Sequence, residues 1–104
     1  MSWIVLIVAG LFETAWALAL KQSDGFSKLV PSVIFVVTVV ISMVLLAIAL
    51  RDLPVGTGYA VWTGIGAVGA AVAGMIWLGD PAAAGRILPI ALIAIGIVWL
   101  ASAE

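Results

Sequence analysis

Cysteine and histidine are both absent from this 104-residue chain, and charge is scarce, with four basic and five acidic side chains. Each absence excludes something. Without cysteine there are no disulfides and no thiol chemistry, and the redox compartment cannot be read. Without histidine the commonest general base and metal ligand is gone, so no enzyme, metal centre or cofactor site is expected. A formal net charge of -1 offers no basic surface to nucleic acid. Nor is there a basic cluster of the kind that holds anionic lipid headgroups.

What is there is apolar. Hydrophobic residues make up 66% of the chain and charged ones 9%, against roughly a quarter charged in a soluble domain. The mean hydropathy is +1.41, so the solvent of this chain is a lipid bilayer. No charge lies between Leu29 and Leu50, between Leu53 and Gly79, or between Ile87 and Ala103, and only Glu13 interrupts Met1 to Leu20. A helix crosses a bilayer with about 20 apolar residues. Four such segments fit and little else does. The expected fold is all-α: a single transmembrane domain over residues 1–104, with helices at about 3–20, 30–50, 57–78 and 86–101. The first segment has no basic n-region and is expected to stay in the membrane as a span. Short loops should make sequential helices antiparallel neighbours.

The connections carry turn signals. Asp24-Gly25 marks the first loop and Gly79 to Gly85 the last. Pro31 sits in the first turn of the second helix, where proline is tolerated. Pro89 falls in or just after the first turn of the fourth, a place that leaves room for a local kink. Lys21, Lys28 and Arg86 lie on one side of the membrane and Arg51 with the terminal amine on the other. That is a weak positive-inside bias. It favours a cytoplasmic first loop but is small enough to predict insertion in both orientations.

Glu13 is the anomaly. At 1.5 Å per residue it lies about 16 Å into its span, near the bilayer midplane. A carboxylate there costs at least ~2.5 kcal/mol. One reading is an acid that hydrogen-bonds packed helices. The other is functional, the default for an ionisable group at this depth. No other charge lies at that depth, so neither a lysine nor an arginine is available to pair with it. Away from water a carboxyl group favours its neutral form. A group that is neutral when empty and charged beside a cation is a site of competition between proton and cation.

Helical spacing puts Gly10 and Trp16 on the face of Glu13. Gly10 removes bulk. Trp16 offers an indole N–H and a flat ring, or is an interfacial anchor or lipid-facing filler. Trp3 and Trp99 fit the aromatic belt, and Trp77 is also near a span end. On the third helix Tyr59, Trp62, Gly66 and Gly69 share one stripe. Gly66, Ala70 and Gly74 suit close helix packing, and Gly64-Ile65-Gly66 would soften the helix at mid-span. Tyr59 and Trp62 either pack or line a pocket, since aromatic faces attract cations. Thr38 and Ser42 are read from spacing alone as hydroxyls bonded back to their own helix.

These residues resemble the small multidrug resistance family over essentially the whole chain. The resemblance lies in size, four spans, the lone acid of the first helix, and "PVGTGYAVWTGIGAVGA" (Pro54 to Ala70). Within the family, "FETAWALALK" (Phe12 to Lys21) looks like the guanidinium exporter subtype; the multidrug subtype typically has glycine near the place of Trp16. The resemblance implies a proton-coupled antiporter of the inner cell membrane, working as an antiparallel homodimer on a small cation. It implies that Glu13 binds proton and substrate in turn. Gly10, Trp16, Ser42, Tyr59 and Trp62 would line the pocket, with Ser42 and Trp16 hydrogen-bonded to the carboxylate, and Gly64 and Gly66 would form the bend of helix 3. It implies helix 4 as the dimer helix, with Gly96 at one of its two glycine positions and Pro89 at the other. Two rivals stand beside this reading: a multidrug exporter of quaternary or aromatic cations, and a non-transporting membrane subunit with Glu13 as helix glue.

Overall fold

A computed structural model describes residues 1–103 as four α-helices: α1 (Ser2–Gln22), α2 (Leu29–Ala49), α3 (Val55–Trp77) and α4 (Ala84–Ser102). Each is long and apolar enough to cross a membrane. All four begin one or two residues before the point that charge pattern alone suggests. The reason is that a helix continues into the polar interface beyond its apolar stretch. The hydroxyl of Ser2 donates to the Asp52 carboxylate at 2.7 Å, which places the start of α1 beside the α2–α3 loop.

The two sharper loops are built from backbone chemistry. Ser23 is fully buried and organises the α1–α2 connection. Its hydroxyl donates to the Leu20 carbonyl and accepts from the Phe26 N–H, and its own carbonyl accepts from Ser27 and Lys28. Asp24, Gly25 and Phe26 all have positive φ, a run that costs the two non-glycine residues. After α3, Gly79 turns the chain at φ +74. The N–H groups of Leu78 and Asp80 both reach the Gly74 carbonyl and close the end of α3.

The packing differs from the expectation in one respect. α1 lies between α2 and α3, whose backbones come close at few points, so the second and third helices are sequential and meet mainly through long side chains such as Trp62. Small residues explain the preference. Gly10 on α1 meets Ile65 on α3, and Gly66 and Gly69 on α3 meet Glu13 and Thr14 on α1; small residues let membrane helices approach closely. The buried cluster of Leu6, Ala9, Leu46, Ala49, Val61 and Trp62 draws on α1, α2 and α3 at the end bounded by the α2–α3 loop. α4 contacts α3 alone and has no buried residue. Pro89 lies inside α4, which runs unbroken past it.

Candidate functional site

Glu13 stands at the middle of α1, just beyond the buried cluster, and turns toward α3. A Cβ built on Gly66 would fall on the Glu13 carboxyl group. The glycine expected to serve helix packing therefore serves the acid: its missing side chain is the space the carboxyl occupies. The Glu13 Oε1 is buried and has no hydrogen-bond partner among the described residues. The same is true of the Trp16 indole N–H. Buried polar atoms are nearly always paired. An unpaired acceptor and an unpaired donor three residues apart on one helix face thus mark a place built for something else.

The other expected pocket residues divide. Gly10 is buried, and a side chain there would collide with Ile65 of α3, so it sets the α1–α3 approach beside the acid. Trp16 packs edge-to-face on Phe35 of α2, with ring centroids 5.8 Å apart, and Phe35 meets Phe26 in the same manner at 5.4 Å. Trp16 is therefore held by α2 and is no lipid-facing filler. Tyr59 is exposed and leans on Trp62 at 5.5 Å. Trp62 itself is a core residue, 5% exposed.

Ser42 joins three helices. Its hydroxyl donates to the Ala9 carbonyl at 2.7 Å and accepts the Trp62 indole N–H at 3.0 Å. This corrects the expectation that it bonds back to its own helix. Thr38 does so, donating to Ile34 at 2.7 Å. The difference is burial: Ser42 is fully enclosed, facing α1 where Ala9 presents a carbonyl without bulk. Ala9 supplies the carbonyl that, in the α-helical ladder, accepts the N–H of residue 13. Ser42 thus reaches the backbone of Glu13's own turn, and within the single chain neither Ser42 nor Trp16 bonds the carboxylate.

Gly64 and Gly66 are both buried within a helix that is continuous from Val55 to Trp77. A side chain on Gly64 would strike Ile97 of α4, so this glycine admits the fourth helix. Sequence reasoning missed Thr14. The signal was present, as a hydroxyl beside the only acid of the span. Its side chain lies within reach of the Gly66 carbonyl at 3.4 Å.

The single chain does not enclose Glu13. A cleft of about 430 Å³ between α1, α3 and α4 is lined by apolar side chains such as Trp3, Leu11, Ile65 and Val98, and Glu13 is not among them. The acid faces a helix seam that has a packed core at one end and thinner cover at the other.

Comparison with known proteins gives a consistent result. The family model described as Small Multidrug Resistance protein matches residues 1–93. The chain is 57% identical over 100 residues to a guanidinium exporter of Escherichia coli, covering 96% of this chain and 95% of that protein. It is 55% identical to the guanidinium exporter of Salmonella typhimurium and 53% identical to that of Citrobacter freundii, with the same coverage.

Proposed function

The chain belongs to the small multidrug resistance family, and from that premise we propose that it exports guanidinium and small guanidinyl cations in exchange for protons at Glu13. It is a multi-pass protein of the inner membrane, with four spans. The observation that carries the reading is the Glu13 carboxyl at mid-span, with a buried, unpaired oxygen and no lysine or arginine nearer than the ends of the helices.

Guanidinium fits that group physically. It is a planar cation whose N–H donors match a carboxylate in a fork, and it stacks on aromatic rings. Trp16 and Tyr59 offer such faces, and the Phe35 contact holds Trp16 in place. Ser42 and Trp62 act from behind, fixing the turn of α1 that carries Glu13. The unpaired Trp16 N–H suits a carboxylate acceptor, its own chain's or a second copy's.

Alternating access needs a site at the meeting of two inverted units. This chain supplies one unit, closed at the α2–α3 loop end and thinner at the other. A second copy in opposite orientation supplies the inverse, and the weak charge bias across the membrane allows both orientations to insert. The working form is then an antiparallel homodimer in which two Glu13 side chains share one site. Like charges so placed titrate as a pair. A proton bound from one side releases the cation. Deprotonation on the other side recruits the next.

Reconstituted liposomes with a proton gradient test this directly. Guanidinium should move and a bulky quaternary ammonium ion should not, and Glu13→Gln should abolish coupled flux while the dimer stays assembled. Undiminished proton-driven guanidinium flux in the Gln variant would sink the reading.

A further inference from the structure

Thr14 is the one polar side chain on the α1 seam that the pocket does not use. It follows Glu13 directly, and its hydroxyl stands between two carbonyl oxygens. One belongs to Gly10 on its own helix at 3.5 Å, the other to Gly66 on α3 at 3.4 Å. A hydroxyl has one proton to donate, so two acceptors at nearly equal distance compete for it. The fit around it is close: a Cβ on Gly69 would collide with the Thr14 side chain, its hydroxyl first. The identity of the α3 acceptor gives this contact its meaning. Gly66 is also the residue whose missing side chain makes room for the Glu13 carboxyl. The hydroxyl therefore bridges α1 and α3, by a contact longer and weaker than an ordinary O–H···O bond, at the very residue that faces the acid.

We propose that Thr14 is a positioning residue whose hydroxyl holds α3 in register against α1 beside Glu13, and frees that register by swinging its donor from the Gly66 carbonyl to that of Gly10. The proposal deepens the antiport reading and rests on its inverted dimer. Each carbonyl keeps its partner in the helical ladder either way, so the exchange strands no buried group. When two protomers swap conformations, one of them holds the tie in each resting state, and midway the tie is stretched. The bond thus stabilises both resting states more than the barrier between them. Thr14 sets the rate of exchange and leaves cation affinity alone.

The test uses Thr14→Val, which keeps the shape and loses the hydroxyl, Thr14→Ala, which loses it without any risk of overpacking, and Thr14→Ser, which retains it. Exchange between the two protomer environments is read by NMR in lipid, and guanidinium KM and turnover are read in liposomes. Hydrogen bonds between membrane helices are modest in strength, so the Val and Ala variants should exchange roughly three- to ten-fold faster at unchanged KM. The Ser variant should match the unaltered chain. Unchanged or slower exchange in both hydroxyl-free variants, an effect confined to KM, or a Ser variant that behaves like Val would overturn the proposal. If Val prevents assembly, Ala carries the measurement. An unaltered chain that moves no guanidinium yet shows the Thr14-dependent exchange rate would overturn the substrate reading and uphold this one.

Discussion

Gly66 and Glu13 share a single volume: the carboxyl group of one occupies the place that a side chain on the other would fill. The acid is thereby seated against bare backbone. Its position depends on a residue on another helix, more than fifty residues later in the chain.

Adding a methyl group at that point should be costly. Gly66→Ala is expected to displace the Glu13 carboxyl or push α1 from α3. Overpacking of this kind destabilises by about 1–3 kcal/mol. Guanidinium flux should fall steeply, and thermal stability of the detergent-solubilised protein should drop. Gly56→Ala is the control, because among the described residues nothing beyond its own stretch of helix lies within 4 Å of the added methyl; flux and melting there should stay close to those of the unaltered chain.

Removing the Ser42 hydroxyl should leave the buried Trp62 N–H without its acceptor. Ser42→Ala is expected to destabilise by about 1–3 kcal/mol, the cost of an unsatisfied buried donor. Trp62→Phe removes the donor and keeps an aromatic ring. The double variant should therefore lose less than the sum of the two single losses. Denaturation curves of all three variants decide this; strict additivity would mean that the pair is not coupled.

Trp16 should set which cations enter. Its ring is held against Phe35 one turn from Glu13. Trp16→Gly empties that space and removes one aromatic wall. Guanidinium flux should fall and flux of a bulky quaternary ammonium ion should rise. Equal loss of both would show that the ring serves assembly alone.

Acid should weaken substrate binding. A proton on Glu13 removes the charge that attracts guanidinium, so the apparent affinity must decline as pH falls. Tryptophan fluorescence titrated with guanidinium at several pH values would show it, since Trp16 lies beside the acid. In Glu13→Gln both the guanidinium response and its pH dependence should vanish.

Much of this was legible from residue order. Scarcity of charge locates four spans, because each uncharged run has the length a bilayer demands. The depth of Glu13 in its span singles it out before any helix is placed. Partners across helices were harder to read. Ser42 and Thr38 look alike on one helix, and only burial separates the hydroxyl that reaches Ala9 from the one that turns back on Ile34. The stripe that Trp62 shares with Tyr59 leaves packing and pocket-lining both open, because it shows which side chains share a face and not what that face meets; in the single chain Trp62 packs in the buried cluster. Thr14 escaped notice for the same reason: its importance lies in a carbonyl on α3 that spacing along α1 cannot reveal.

The absence of any buried residue on α4 has a consequence for how such a chain can change over time. Substitutions on α1, α2 and α3 are judged first by neighbours in the same molecule. Most of α4 is judged by whatever lies outside it, lipid or a second copy. In a symmetric pair a change on that helix is made twice at once, so a helpful or harmful contact is doubled. Selection can then adjust how firmly two copies hold together almost independently of the residues that handle the cation.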